Sequence, residues 1–148
     1  MRRSLTCSTL MVVMCAVTLL AQRGPTGVRA VVDSKQLHDI LISPASDAVF
    51  DASAANVPTD EKGWTAARNQ ALLLAEGGNL LMVGSRVRDN GNWMRMSRAL
   101  VDAAALAAAA AEKKDAKGLE AATDAITVAC MACHRPYRDQ GRQMGAPR

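Results

Sequence analysis

The sequence predicts an all-α protein, an antiparallel up-down-up-down four-helix bundle. Two observations carry this. Beyond the first thirty residues, apolar side chains recur at helical spacing in four successive segments, and no run alternates apolar and polar residues as a half-buried strand would. The connections between the segments are short and carry turn chemistry, which makes chain neighbours antiparallel.

Residues 1–30 read as a secretory signal rather than as part of the fold. Arg2 and Arg3 form a basic start, Leu10 to Leu20 is an apolar run too short to span a bilayer, and Val28-Arg29-Ala30 offers a small-residue cleavage site. The expectation is export to the periplasm, with cleavage near Ala30, a single domain over 31–148 and a disordered tail over 141–148. Four of the 18 basic residues and none of the 14 acidic ones fall in 1–30, so the remainder balances at 14 against 14. The overall charge of +4 therefore belongs to the signal, and nucleic-acid binding has no electrostatic basis. Cys7 and Cys15 leave with the signal, so Cys130 and Cys133 are the cysteines of the exported chain.

The first helix is predicted from Ser34 to Ala54. His38, Leu41, Ile42, Ala45 and Val49 form its apolar stripe. Pro44 interrupts it, with Ser43 capping a fresh start or the helix kinking there. The second starts at Thr59 as N-cap, with Asp60 and Glu61 in the first turn. It runs through Trp64, Ala67, Leu72, Leu73, Leu74 and Ala75 to about Val83, and Gly84 suits its stop. Gly77-Gly78 inside it costs about 1 kcal/mol per glycine relative to alanine, which predicts a close approach of another backbone or of a bound group. Asp89-Asn90-Gly91 is a turn signal. The third helix runs from Asn92 or Trp93 to about Lys113, and its alanines from Ala103 to Ala111 predict a thin, closely packed face. The fourth starts after Asp115 as N-cap and aligns Leu119, Ala122, Ile126, Cys130, Cys133 and Tyr137. Pro136 removes the N–H that would bond to Ala132, so a distortion is expected just past His134.

The chemistry lies in Cys130-Met131-Ala132-Cys133-His134. On a helix these two cysteines and the histidine share one face. CxxCH is the attachment pattern of a c-type haem: two thiols add to the haem vinyl groups and the histidine supplies an axial imidazole to the iron. A zinc site would want four ligands, and a thioredoxin-like pair would want a β/α setting. Cys130, Cys133 and His134 are therefore the expected cofactor-binding residues for one covalent haem c, with His134 as the proximal iron ligand.

His38 is the other histidine of the chain. It lies on the apolar stripe of the first helix, where an unpaired imidazole costs desolvation energy. It is the candidate distal iron ligand. The competing reading leaves it at the end of the bundle, reaching solvent or a haem propionate. Met82, Met94 and Met96 are alternative ligands, although methionine more often fills gaps in a core.

Cys130-Met131-Ala132-Cys133-His134-Arg135-Pro136-Tyr137-Arg138, on the last helix of an exported four-helix chain, resembles the signature of the cytochrome c prime family, the class II c-type cytochromes. The resemblance covers these nine residues at motif level and the rest in architecture. It implies a left-handed bundle with haem near one end and a first-helix residue at the sixth iron position. An apolar residue there leaves iron five-coordinate and open to small gases. A methionine there gives a six-coordinate, low-spin electron carrier. Here Leu37-His38 stands where the family has those residues and departs from both patterns. The expected function is one-electron transfer to and from redox partner proteins, not enzymatic catalysis. The alternative is a five-coordinate haem protein that binds nitric oxide or carbon monoxide. The resemblance also admits a homodimer.

Overall fold

The computed structural model describes residues 29–139. Most of the expected signal and the expected disordered tail lie outside the described residues. Helix α1 spans 34–54 and is built from Ser34–Leu37, a π-helical turn His38–Ile42, and Ser43–Ala54. Helices α2 (Glu61–Leu81), α3 (Asn92–Glu112) and α4 (Ala116–His134) follow, and α4 continues into a second π-helical turn, Arg135–Asp139. A 3-10 turn, Gly84–Arg86, lies between α2 and α3. Among the described residues there is no strand, and no helix is long and apolar enough to cross a membrane.

Acidic side chains start the helices, as the positive partial charge of a helix N-terminus favours. Asp33 accepts from the Gln36 N–H at 2.8 Å while Gln36 Oε1 accepts from the Asp33 N–H at 3.0 Å, a reciprocal capping box for α1. Asp60, not Thr59, caps α2, accepting from the Gly63 N–H at 2.7 Å. Its carboxylate brings a full negative charge to the helix start. Asp115 caps α4 through the Gly118 N–H at 3.0 Å.

The four helices pack against one another in a closed cycle, α1 to α2, α2 to α3, α3 to α4 and α4 back to α1. Their ends fix the directions. The Trp93 indole N–H at the start of α3 donates to the Leu81 carbonyl at the end of α2, at 2.9 Å. Lys114, just past α3, pairs with Glu61 at the start of α2. His38 near the start of α1 faces His134 at the end of α4. α2 and α3 are therefore antiparallel, and so are α1 and α4.

Alanine does much of the packing. Ala103, Ala104, Ala107, Ala108, Ala110 and Ala111 are buried, so α3 lies close to both α2 and α4, as the alanine run predicts. Gly77 and Gly78 mark close approaches on two sides. A Cβ on Gly77 would sit 2.7 Å from Leu41 Cδ2 of α1, and one on Gly78 would sit 2.7 Å from Val101 Cγ2 of α3. The stripe of α2 differs from the expectation at two places: Leu72 and Leu73 are exposed, and Ala71 and Leu81 are buried instead. A 3.6-residue period through Trp64, Ala67, Ala71, Leu74, Gly78 and Leu81 turns positions 72 and 73 outward.

The π turn changes the register of α1. Leu37, Ile42, Ala45, Val49 and Ala52 are its buried residues. The five-residue step from Leu37 to Ile42 is the period of a π turn, not of an α-helix. The turn ends just before Pro44, at the first turn of Ser43–Ala54. A proline ring clashes with the carbonyl four residues back, and the wider turn relieves that clash. Ser43 makes no side-chain cap and keeps helical backbone angles, so α1 is continuous rather than restarted. Leu37 enters the core, and His38 sits half-buried beside it.

Candidate functional site

The π turn of α1 and the end of α4 form one wall each of a cavity at one end of the bundle. The cavity measures about 70 Å³. His38, His134, Cys130 and Cys133 all line it. Ile42, Leu81, Leu100 and Ala129 supply apolar walls, and Met96 and Ser97 line it from α3. The four residues expected from sequence are thus brought together. Met96 is the candidate methionine that reaches the cavity, while Met94 packs against the hydrophobic core.

The two imidazoles face each other with ring centres 6.0 Å apart and planes at 46°. His38 Nδ1 lies 2.9 Å from the Ser34 carbonyl oxygen, an acceptor, so Nδ1 carries the proton and Nε2 keeps its lone pair. That is the tautomer a metal ligand needs. His134 is set differently. Its Nδ1 lies 3.0 Å from an Arg138 guanidinium nitrogen, and arginine only donates, so Nδ1 accepts and the neutral ring carries its proton on Nε2. A metal at Nε2 would take that proton's place, make Nδ1 a donor, and turn Arg138 aside.

Burial pushes both thiols above their ordinary range, Cys133 with a further contribution from Cys130. Catalytic CxxC pairs work with lowered thiol pKa values, so the pair lacks the signature of a redox dithiol. Among the described residues no group of three or more His, Cys, Asp or Glu side chains is arranged to hold a bare metal ion.

Past His134 the expected distortion is present as the π turn Arg135–Asp139. Tyr137 secures it. Its hydroxyl donates to Asp89 Oδ2, and its ring meets Trp93 edge-on with centres 5.0 Å apart. Asp89 Oδ1 accepts from the N–H groups of Gly91 and Trp93 at 2.9 and 3.0 Å, which caps α3 from the preceding turn. One carboxylate thus ties the segment after His134 to the start of α3. Sequence reasoning assigned Asp89 only to a turn. Arg86 was also missed. It is 5% exposed and donates to the Leu80 carbonyl at 2.6 Å and the Val32 carbonyl at 3.1 Å, pinning the approach to α1 against the end of α2. Its cation lies at the negative end of the α2 dipole. A lone arginine in a polar connection carries no signal of this in sequence.

The hydrogen bond from Tyr137 to Asp89 holds the Tyr137 pKa up, to about 12, and holds the Asp89 carboxyl below its usual range. The raised tyrosine contributes stability that is present below pH ~10 and lost as pH rises through the folded value. The depressed carboxyl contributes stability present above its unfolded pKa and lost as pH falls through the folded one. The clamp is therefore intact across neutral pH. Tyr137 is the sole tyrosine of the chain, so a phenolate absorbance titration reads it alone. Asp89→Ala is expected to bring that midpoint back toward 10. A midpoint unchanged by the substitution would show that Asp89 does not hold the hydroxyl.

Compared with known proteins, the chain matches no family model, no curated protein and no solved structure.

Proposed function

We propose that this chain is an exported carrier of one covalent haem c that transfers single electrons between redox partner proteins. The observation that carries the reading is the opposed pair His38 and His134, 6.0 Å apart in the cavity that Cys130 and Cys133 also line. Two metal–imidazole bonds of about 2 Å, with about 1 Å from each nitrogen to its ring centre, span roughly 6 Å. The donor set fits the group. Two thiols and an imidazole on one helix face tether haem and hold its iron, and an imidazole already in the ligand tautomer stands opposite.

The haem supplies a one-electron couple, and the chain supplies the conditions for it. His134 and His38 would hold the iron, and Ile42, Leu81, Leu100 and Ala129 would keep water from its surroundings. Little then has to rearrange when an electron arrives or leaves. Imidazole on both faces sets a lower potential than a thioether would. A five-coordinate iron open to nitric oxide or carbon monoxide has less support, because His38 stands where such a ligand would bind. The resemblance to the cytochrome c prime family agrees with this reading in motif and helix count, and departs from it in using histidine on the first helix.

The test is production of the chain with export and haem-attachment machinery, followed by denaturing electrophoresis and a haem stain. Haem is expected to stay with the polypeptide and to be lost from the Cys130→Ser, Cys133→Ser double variant. A wild-type band without haem would defeat the proposal.

A further inference from the structure

Ser97 is the polar residue of the cavity left without a bond. It lies in α3, is 2% exposed, and its hydroxyl has no hydrogen-bond partner among the described residues. Helical hydroxyls normally satisfy themselves on a carbonyl three or four residues back. Four others here do so: Ser46 on Ser43, Ser53 on Phe50, Thr123 on Glu120 and Thr127 on Thr123. Ser97 does not, and a buried hydroxyl without a partner is disfavoured. It lines the same cavity as His38 and His134.

We propose that Ser97 is a specificity-determining hydrogen-bond donor for small anions that take the sixth iron position when His38 leaves it. This rests on the haem reading above and deepens it. The partner of Ser97 must enter the cavity with the cofactor or bind to it. A haem propionate is a poor choice, since a buried carboxylate needs more than one neutral donor and the walls around Ser97 are apolar. Ser43 and Ser46, toward the exposed side of α1, suit that edge better. A small anion bonded to ferric iron has its charge partly neutralised by the metal and presents one accepting end. One hydroxyl in an apolar wall matches that. In the exchange the bond from His38 Nε2 to iron breaks and the anion's lone pair replaces it, with no change in oxidation state. Ser97 then donates to the anion's outer atom. Carbon monoxide, neutral and a weak acceptor, gains little from such a donor.

The experiment uses haem-loaded protein, with azide titrated into the ferric form and carbon monoxide into the ferrous form. Ser97→Ala and Ser97→Thr are compared with the parent, each with His38 present and as His38→Ala, so that competition from His38 is separated from recognition by Ser97. Ser97→Ala is expected to weaken azide binding about tenfold in the His38→Ala background, the order of one hydrogen bond to a charged group. Ser97→Thr is expected to restore it, and carbon monoxide affinity is expected to stay within about twofold, the range left to small packing changes. Equal azide affinity in Ser97→Ala and its parent overturns the proposal. So does an equal loss for carbon monoxide, which would mean Ser97 acts through packing, and so does failure of azide to bind in either background. Failure of the haem reading itself shows earlier, as a polypeptide without haem on the denaturing gel.

Discussion

On the haem reading proposed above, replacing His38 by methionine is expected to raise the reduction potential, and replacing it by alanine is expected to convert ferric iron from low-spin to high-spin. The size of the first change is on the order of 100 mV, a fraction of the roughly 0.8 V that axial ligands cover in haem proteins. The direction follows from ligand chemistry: a thioether favours the ferrous form more than an imidazole does. The structural ground is that His38 is already prepared as a ligand. Its Nδ1 is bonded to the Ser34 carbonyl at 2.9 Å, which fixes tautomer and ring orientation together, and its ring faces His134 at 6.0 Å. His38 is half-buried, so neither substitution opens a large cavity, and helix content by circular dichroism should be unchanged. Redox titration and the ferric absorption spectrum measure the two effects. A high-spin spectrum in the parent, unaltered in His38→Ala, would place His38 off the iron.

The helices were legible because local chemistry determines them, but of the caps read from sequence only Asp115 holds: Asp60 caps α2 in place of Thr59, Ser43 caps nothing, and the Asp33 capping box was not read at all. Asp115 and the alanine face of α3 act through their immediate neighbours, and the periodicity of α4 carries Cys130, Cys133 and His134 to one face without help from the rest of the fold. The register of α1 was not legible. His38 was expected on the apolar stripe, but a π turn inserted before Pro44 sends Leu37 into the core and leaves His38 half-buried at the cavity wall. From sequence His38 was a candidate partner of His134 across the iron, with the end of the bundle as the competing reading; the structure brings the two ring centres to 6.0 Å. Asp89, Arg86 and Ser97 escaped notice for a common reason. Each acts on a residue remote in sequence, or on a cavity that exists only once four helices meet, and none has a distinctive neighbour pattern.

The adjacent glycines of α2 link stability to the site, and they are expected to respond differently to the same substitution. Gly78→Ala should destabilise the protein by up to about 2 kcal/mol, overpacking of about 1–3 kcal/mol offset by about 1 kcal/mol of helix propensity. The new methyl would meet Val101 Cγ2 at 2.7 Å, with the Ser97 carbonyl oxygen and the Val101 backbone nitrogen at 3.3 Å, so α2 and α3 must part. At Gly77 the methyl would meet side chains instead, Leu41 Cδ2 at 2.7 Å and Ile42 Cγ1 at 2.8 Å. Leu41 is only partly buried and can turn outward, so Gly77→Ala should cost less in urea unfolding than Gly78→Ala. Leu41 and Ile42, however, belong to the π turn that starts at His38. On the haem reading, pushing on them would displace His38, so Gly77→Ala should raise the high-spin fraction of ferric holoprotein while Gly78→Ala leaves the spectrum as it was. The opposite pattern, a spectral change with Gly78→Ala and none with Gly77→Ala, would show that the close contact between α2 and the π turn does not hold His38 in place.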